Sequence, residues 1–459
     1  MPSLEELLAL NAELRSEVMA LRARIAELEA RLKQNPRNSS MPPSSEGLSK
    51  PPVKSRAERR SEARRKGKQP GAPGSHLAQV IDPDEVKTIS PDSCRSCGAG
   101  LDDADLVGVE RRQVFDLPEI SVRVTEHSAE RRRCKCGTET KAEFPAHVTA
   151  SACYGPKLRA LAVYLAVYQH LPYDRMAKLF KDVLHQPVST GALQTMVKEA
   201  ADETGPFLDE VRNLLADSDC VHFDETGARV EGRLHWIHGA SDRLLTLLTC
   251  HTRRGKVAME EIGVITQMTG VAVHDGFRPY QSYEVTHSLC NAHHLRELEA
   301  CEKPWADGLS SLLLEAKDAV SAARSAGRSS LDPTTLDSIT DRYGVLAQTG
   351  IDADVHDLDW HSTYQNRHYN LMVRLRDKRD DVLRFCTDFR APFDNNQAER
   401  DIRMVKLQQK ISGSWRSFEG AQRFCAVSSY VSTLRKNGED ILDGLGLLFD
   451  GHAWMPGGT

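Results

Sequence analysis

The amino-acid sequence predicts a multidomain α/β protein. Its 459 residues correspond to about three domains of ordinary size. Apolar residues make up 40% of the chain, which is enough to build buried cores and excludes a disordered protein. A heptad-repeat segment, a paired-cysteine segment and a region of short alternating strands follow one another, and a long helical pattern comes after them. These changes of periodicity predict separate structural units in series.

The net charge of −5 conceals an uneven charge distribution. Residues 1–75 hold 15 Lys or Arg against 9 Asp or Glu, a net charge of +6, so the remaining residues carry −11. A basic arm on an acidic body is typical of contact with nucleic acid. The sequence has no apolar run of the roughly 18 residues that a membrane span needs and no secretory signal, and its eleven cysteines do not suit a disulfide scaffold. We therefore expect a cytoplasmic protein.

The N-terminal segment 4–32 carries a heptad repeat. Leu occupies the d positions, and the a positions hold apolar residues with one Asn: Leu7, Leu14, Leu21 and Leu28 at d, and Leu4, Asn11, Val18, Ile25 and Leu32 at a. This pattern favours a parallel two-stranded coiled coil in one register. The alternative is an amphipathic helix packed on its own domain, but the repeat is 3.5 rather than 3.6 residues. We predict a homodimer or larger assembly through residues 1–34.

Residues 35–75 form a predicted linker. The stretch Asn35–Ser45 is rich in Pro, Asn and Ser, and Lys50–Lys68 contains nine basic residues and two acidic ones. Such a composition does not build a core. The segment is either an arm that binds DNA phosphates, with an affinity that falls steeply with salt, or a solvated spacer.

Two close cysteine pairs follow the linker. Cys94 and Cys97 form one pair, Cys134 and Cys136 form the other, and a Gly follows each pair. Four thiolates in two pairs suit a closed, tetrahedral structural zinc site; the alternative is four ordinary thiols. Between the pairs, Val107–Phe115 and Ile120–Val124 alternate like the strands of a hairpin. We predict a zinc-binding β module over residues 76–150.

Residues 155–203 have helical patterns. One helix is predicted over Lys157–Tyr168, and two more, Tyr173–Leu184 and Thr190–Ala200, surround a short break and resemble a helix-turn-helix with Ser189 as N-cap. If the second of these helices reads DNA, Gln194 and Lys198 are its candidate contacts. The alternative is a helix pair with a purely structural role.

From residue 219 the pattern changes to strands. Cys220–Asp224, Leu234–Ala240 and Leu244–Cys250 predict a three-stranded meander, and a helix near 257–262 leads to a fourth strand, Val271–Val273. Residues 288–390 are predicted to be helical, with a loop over Ser325–Asp341. A last strong helix is predicted from the capping cluster Asp394–Asn396 to about Ile411.

Three acids stand out by their positions in these elements. Asp224 and Asp275 each end a short strand, and Glu399 lies in the first turn of a helix. Three converging carboxylates repel one another unless cations neutralise them, and Mg²⁺ prefers such oxygen ligands. Two Mg²⁺ ions about 4 Å apart would suit an in-line phosphoryl transfer. Several other acids compete for these roles on spacing alone: Asp219, Glu225, Asp394 and Asp401.

The helix that carries Glu399 also carries basic residues. Arg403, Lys406 and Lys410 share a helical face with Glu399, which suits a phosphodiester backbone. Arg400 and Arg416 are further candidate DNA contacts, and Trp415 and Phe418 are interleaved with basic residues as in a strand-stacking surface. The alternative is a solvated cationic helix with ordinary core aromatics.

Seven stretches, in order along nearly the whole chain, carry a resemblance to a known family: Asn38–Ser45, the four cysteines above, Tyr154–Pro156, Asp224–Gly227, His274–Phe277, Cys290–His293 and Asp394–Arg400. With these motifs the chain resembles the bacterial transposases of the insertion-sequence-sixty-six type. The resemblance implies a ribonuclease-H-like catalytic core with an Asp-Asp-Glu triad, which maps onto Asp224, Asp275 and Glu399. It also implies a helical insertion before Glu399, in which Cys290 and His293 have a structural role.

The resemblance implies DNA transposition. Water would attack at the transposon end to release a 3′-hydroxyl, which would then attack target DNA, and small accessory proteins from the same element are possible partners. Two alternatives are a catalytically inactive DNA-binding regulator derived from a transposase and a ribonuclease-H-like nuclease that cuts without joining.

Beyond the coiled coil, the linker and the zinc module, the predicted organisation is a DNA-binding region at 151–210, the core at 211–287, the insertion at 288–390, the Glu helix and basic segment at 391–436, and a tail at 437–459.

Overall fold

The computed structural model describes residues 14–19, 21, 24, 77–118, 120–145, 147–355 and 367–457. The chain divides into two compact units, one made of Met1–Ser49, Thr125–Asp182 and Gln186–Thr459, and the other of Lys50–Val124 and Val183–His185. The larger unit holds all seven strands named below. No helix among the described residues is both long enough and apolar enough to cross a membrane.

Most of the predicted coiled coil and the whole linker 35–75 lie outside the described residues. Residues 14–19 are helical, and Leu14, Val18 and Leu21, three of the predicted a and d positions, are exposed in the single chain. The dimer remains a prediction.

The hairpin predicted between the cysteine pairs is wrong. Neither 107–115 nor 120–124 forms a strand, and most of the alternating apolar side chains are exposed, Val107 at 99%. A two-stranded hairpin that has no second layer on which to bury its apolar face is marginal in water. The side-chain amide of Gln113 instead pairs with the backbone of Val80, with both N–H···O distances at 2.7 Å. The hairpin of this part of the chain lies later, with strand β1 at Arg131–Arg133 and strand β2 at Glu139–Lys141.

Between residues 150 and 220, all of them described, four α-helices precede the main sheet: α1 at Pro156–Val163, α2 at Tyr173–Leu184, α3 at Thr190–Glu203 and α4 at Gly205–Ala216. The single helix predicted over Lys157–Tyr168 is divided in the structure: the α-helical part, α1, ends at Val163, and a π-helical turn follows over Tyr164–Tyr168. Ser189 caps α3 as predicted, because its Oγ accepts a hydrogen bond from the N–H of Ala192 at 3.1 Å. The sequence reading did not include α4, which packs against α3 and the sheet.

The main sheet has five strands: β3 at Cys220–Val230, β4 at Arg233–Ser241, β5 at Thr246–His251, β6 at Val271–His274 and β7 at Thr286–Leu289. Their order is β5-β4-β3-β6-β7. The first three form an antiparallel meander, as predicted, and β6 and β7 run parallel to β3. Helix α5, Lys256–Ile262, lies between β5 and β6 in the chain.

Strand β7 corrects the predicted start of the helical insertion at residue 288. Thr286–Leu289 is too short and too polar for its alternation to be visible, but it pairs with β6 over four residues. The insertion therefore begins with α6 at Asn291–Glu299. Its other helices are α7 at Pro304–Ser325, α8 at Pro333–Val355, α9 at Arg367–Asp377, α10 at Arg379–Val382 and α11 at Arg384–Thr387.

The insertion is packed around its own apolar core, which includes Leu309, Leu313, Tyr343, Met372 and Phe385, all nearly inaccessible to solvent. The loop in the structure is much shorter than the one predicted over Ser325–Asp341, because α8 begins at Pro333. Proline is favoured in the first turn of a helix, where its missing N–H costs nothing.

Three helices complete the chain: α12 at Asn396–Ser412, α13 at Phe418–Lys436 and α14 at Ile441–Phe449. Helix α12 agrees with the prediction and packs across β3 and β4. The predicted tail 437–459 is wrong in part, because α14 occupies it. The glycines of α14 are typical of a loop in the sequence, and a Cβ at Gly444 would lie 2.5 Å from Leu434 Cδ1, so a larger residue there would require the Leu434 side chain to move.

Helix α13 is fixed to the edge of the sheet by hydroxyl groups. Ser429 Oγ accepts a hydrogen bond from the N–H of Leu248 at 2.8 Å, and Thr433 Oγ1 accepts one from the N–H of Thr246 at 3.1 Å. These buried hydroxyls satisfy backbone donors that a strand edge would otherwise leave without partners.

Candidate active site

The two candidate aspartates lie level with each other on neighbouring parallel strands. Asp224 is within β3, opposite Gly239 of β4, and Asp275 directly follows β6. Strands β3 and β6 pair in the register His222 to Val273, and a continuation of this register by two residues places Asp275 beside Asp224. The backbone turns at Gly276, whose φ of 89° favours glycine. The sheet topology thus brings together the two residues that end the predicted strands.

Electrostatic repulsion acts between the carboxylates at this site. Burial raises the pKa of Asp224 well above its ordinary value, and the nearby charges of Glu225, Asp275 and Glu399 raise it further. Burial also raises the pKa of Asp275, against the hydrogen bond that the Phe277 N–H donates to its Oδ1 at 2.8 Å. In the absence of a cation, the site therefore favours protonated aspartates.

Glu225 is a buried carboxylate with partners of its own. Its Oε1 lies 2.6 Å from Nη2 of Arg254, and its Oε2 accepts a hydrogen bond from the Tyr280 hydroxyl at 2.9 Å. Burial, with the charge of Asp275, raises the pKa of Glu225 to about 7, although the Arg254 guanidinium opposes this shift. The same guanidinium lies 3.8 Å from the ring centre of Phe277. Glu225 therefore holds the segment after Asp275 in place, and no sequence pattern indicates that Arg254 is its partner.

Asn395 joins the strand of Asp224 to the helix of Glu399. Its side-chain NH₂ donates to the carbonyl of Phe223 at 2.7 Å, and its Oδ1 lies 2.8 Å from His222 Nδ1. The Asn395 amide oxygen can only accept, so the His222 proton resides on Nδ1. The backbone carbonyl of Asn395 accepts from the N–H of Glu399 at 3.2 Å. Sequence reasoning identified Asn395 as part of a helix cap only; its role in locating Glu399 became visible in the structure.

The Glu399 carboxylate lies beside basic and sulfur-containing side chains. Its Oε1 is 3.3 Å from Arg296 Nη2 and 3.8 Å from His293 Nδ1. Within the described parts of the chain, one group of three His, Cys, Asp or Glu residues has ligand atoms all within 4.8 Å of one another, and it consists of Cys290, His293 and Glu399. Glu399 is thus close enough to raise the pKa of Asp224 while its carboxylate contacts Arg296.

The donor chemistry of Asp224, Asp275 and Glu399 fits a divalent cation. Two of the three are buried acids whose charged forms are disfavoured, and all three supply oxygen ligands, which Mg²⁺ prefers. A bound cation would remove the repulsion that now raises the pKa of Asp224. The Arg296 guanidinium, which contacts Glu399, supplies positive charge at this position.

The competing acids each have a structural partner. Asp219 pairs with Arg390 at 3.2 Å and Asp401 with Lys436 at 2.8 Å. Asp394 accepts a hydrogen bond from the N–H of Asn396, the first residue of α12, at 3.1 Å. These contacts favour Asp224 and Asp275 over their competitors.

The predicted basic face of α12 divides in two. Arg403 and Lys410 are exposed, as are Arg400, which donates to Gln397 at 2.9 Å, and Arg416 beyond the helix. Lys406 is half-buried, and its Nζ donates to the carbonyl of Gly227 at 2.5 Å. Burial lowers the pKa of Lys406 to about 8. The ammonium of Lys406 therefore stabilises the contact between α12 and β3.

The proposed stacking surface of Trp415 and Phe418 is wrong for Trp415. Its side chain is buried against Phe424, with ring centres 5.2 Å apart, and its backbone bonds to Arg229 and Glu231 next to β3. Phe418 is partly buried, and its ring centre lies 5.5 Å from that of His235. A buried indole cannot stack on a nucleic-acid base, so the ordinary core role applies to Trp415.

On α3, Gln194 and Lys198 are both exposed, as a groove-reading helix requires. Lys198 Nζ lies 2.5 Å from Asp202 Oδ2 on the next turn. An exposed pair of this kind is weak and can exchange its partner for a phosphate.

Each cysteine pair lies in its own tight turn. The N–H of Gly98 donates to the Cys94 carbonyl at 2.9 Å, and the N–H of Gly137 donates to the Cys134 carbonyl at 2.8 Å. Both glycines have positive φ values, 75° and 88°. Hydrogen bonds from Thr138 lower the pKa of Cys136 to about 7, which favours the thiolate that metal ligation needs.

The repulsion among the acids gives a testable pH dependence. Because the folded-state pKa of Asp224 lies above its unfolded value, its contribution to stability is greatest at low pH and falls as pH rises. We expect Asp224→Asn to raise the melting temperature of the metal-free protein, with a gain that grows from about pH 4 upward. Thermal melts at several pH values check this, with Asp318→Asn on the exposed face of α7 as the control. A gain equal at every pH would contradict the raised pKa of Asp224, which burial causes first and the neighbouring acids second.

Three family models match the chain. The model described as "Transposase IS66 family" matches residues 151–423, and the one described as "zinc-finger binding domain of transposase IS66" matches residues 91–137. A family of unknown function, DUF6444, matches residues 1–78. No curated relative matches the chain. The first match spans more than half of the sequence and contains Asp224, Asp275 and Glu399, and the second contains all four paired cysteines. The chain therefore belongs to the IS66 transposase family and carries the zinc-finger domain of that family.

Proposed function

We propose that the protein is a DNA transposase that cleaves transposon ends to release 3′-hydroxyls and joins them to target DNA. The observation that carries the proposal is the register that brings Asp275 level with Asp224, where the charges of Asp275 and Glu399 add to burial in raising the pKa of Asp224. Membership of the IS66 family makes DNA the expected substrate.

A ribonuclease-H-like core with a helical insertion is part of this proposal. The mixed sheet β5-β4-β3-β6-β7 supports it, since an antiparallel meander is extended by two parallel strands, with Asp224 on the central strand β3 and Asp275 directly after the neighbouring β6. The insertion α6–α11 separates β7 from α12 in sequence, and α12 returns to pack across β3 and β4. This return supports Glu399 as the third acid, because its charge reaches Asp224.

The side chains that would hold Mg²⁺, two ions per site, are Asp224, Asp275 and Glu399. When bound, the metal supplies Lewis acidity for phosphoryl transfer. The role of the three carboxylates is to bind and orient it. The Glu225 carboxylate is occupied by its contacts with Arg254 and Tyr280 and so is not proposed as a ligand. Asn395 sets the distance between β3 and the first turn of α12.

DNA binding would involve several surfaces of the chain. On α12 and after it, Arg400, Arg403, Lys410 and Arg416 present exposed guanidinium or ammonium groups. Gln194 and Lys198 on α3 would read the transposon end, and the four paired cysteines would hold structural Zn²⁺. A homodimer through residues 1–34 would bring two ends together, with possible help from small proteins of the same element.

Catalysis is tested by strand transfer with duplex DNA that carries the ends of the encoding element. We expect Asp224→Asn, Asp275→Asn and Glu399→Gln each to lower the Mg²⁺-dependent rate about a thousandfold, which corresponds to roughly 4 kcal/mol. Asp318→Asn, an exposed acid of α7, is the matched control and keeps the wild-type rate.

The product pattern separates the alternatives. Joined products that depend on all three acids support the transposase. Cleaved but never joined ends would indicate a nuclease, and end binding without cleavage would indicate an inactive regulator. Wild-type activity in Glu399→Gln would overturn the proposed triad.

The basic surface of α12 is tested by the salt dependence of DNA binding. Log affinity falls with log salt concentration, and each phosphate contact that is lost makes this negative slope less steep by about 0.9. We expect the slope of the double variant Arg403→Ala/Lys410→Ala to be less steep by roughly two. Arg328→Ala, an exposed residue between α7 and α8, is the control. An unchanged slope in the double variant would remove α12 from the DNA interface.

A further inference from the structure

A cluster of metal-ligand side chains lies at the start of α6. Cys290 is the N-cap residue of α6, and His293 lies one turn later. The Cys290 Sγ, a ring nitrogen of His293 and a carboxylate oxygen of Glu399 are all within 4.8 Å of one another. Nδ1 of His293 is buried and has no hydrogen-bond partner. A buried polar atom without a partner needs an explanation, and a metal-ligand role for this nitrogen would supply it.

We propose that Cys290, His293 and Glu399 form a second zinc site, distinct from the paired cysteines. Thiolate, imidazole and carboxylate are the three kinds of ligand that Zn²⁺ takes from proteins, and three protein ligands leave a fourth position open for water. The sulfur ligand selects a soft or borderline ion over Mg²⁺. When the Zn–S bond forms, the Cys290 thiol releases its proton to solvent, and the His293 ring binds through its free lone pair.

The surroundings of Cys290 hold its sulfur in place for this role. Sγ accepts a hydrogen bond from the backbone N–H of Asn395 at 3.1 Å, so the same residue that locates Glu399 also orients the thiol. Nδ1 of His293 is 3.8 Å from Oε1 of Glu399, a separation that one ion between them can span. Arg296, 3.3 Å from the same oxygen, supplies the positive charge that Zn²⁺ would replace.

The site shares Glu399 with the proposed catalytic triad. Zinc bound to Cys290 and His293 would hold the carboxylate at the start of α6 and withhold it from Asp224 and Asp275. Zinc would therefore inhibit strand transfer. This consequence rests on the proposed function, whereas zinc binding itself does not.

The proposal is tested first by the zinc content of the full-length protein after dialysis. We expect Cys290→Ser and His293→Gln each to lose one zinc equivalent per chain relative to the wild type. The Ser oxygen can still accept the Asn395 N–H, so Cys290→Ser is expected to fold, and His293→Gln gives an independent measurement. Cys301→Ser, a buried thiol after α6, is the matched control and retains the wild-type content. Full zinc content in both Cys290→Ser and His293→Gln would overturn the site.

A cobalt spectrum separates this site from the zinc finger. In the variant Cys94→Ser/Cys97→Ser, Co²⁺ is expected to keep a sulfur-to-metal absorption band that the further change Cys290→Ser removes. A band unaffected by that change would overturn the assignment of Cys290 as the ligand.

Inhibition is measured as the ratio of strand-transfer rates with and without Zn²⁺ at fixed Mg²⁺. The ratio should fall at least tenfold in the wild type and stay near one in Cys290→Ser. Zinc binding at Cys290 in a protein without strand transfer would count against the proposed function alone. Equal inhibition of the two proteins would overturn the shared role of Glu399.

Discussion

The contacts of Asn395 hold the candidate active site together. One buried side chain bonds to the carbonyl of Phe223 and to His222 on β3, while its backbone bonds to Cys290 and Glu399. Three parts of the chain that are far apart in sequence thus meet at a residue that is 1% exposed. Loss of this side chain would leave buried polar groups of β3 without partners, which is among the more costly changes in a protein interior.

Repulsion between acids is the opposing constraint. Asp224, Glu225, Asp275 and Glu399 are gathered into a small volume, and the fold neutralises only part of their charge. Arg254 pairs with Glu225, and Arg296 contacts Glu399, but neither aspartate has a basic partner within ion-pair distance in the described part of the chain. The unpaired aspartates are what a cation site requires, because a site already neutralised by protein would not attract an ion.

The sequence predicted the elements that carry a strong periodicity. The meander, β6 and α12 follow their apolar patterns, and the aspartates were visible because each ends a predicted strand. Strand β7 is not visible in the sequence because its four partly polar residues carry no period. Helix α14 is not visible because its glycines, one of them packed closely on Leu434, are typical of a loop. Trp415 and Lys406 show a different limit: the helical and basic patterns are correct, but only packing decides whether an aromatic ring or an ammonium faces solvent.

The convergence of Asp224, Asp275 and Glu399 on one cation is the central claim. Iron-mediated backbone cleavage tests it directly: Fe²⁺ bound in place of Mg²⁺ and supplied with hydrogen peroxide and ascorbate generates hydroxyl radicals that cut the chain next to its ligands. The account predicts cuts near residues 224, 275 and 399 together, all suppressed by excess Mg²⁺ and all lost in Asp224→Asn. Cuts confined to the start of α6, with none near residues 224 and 275, would contradict it.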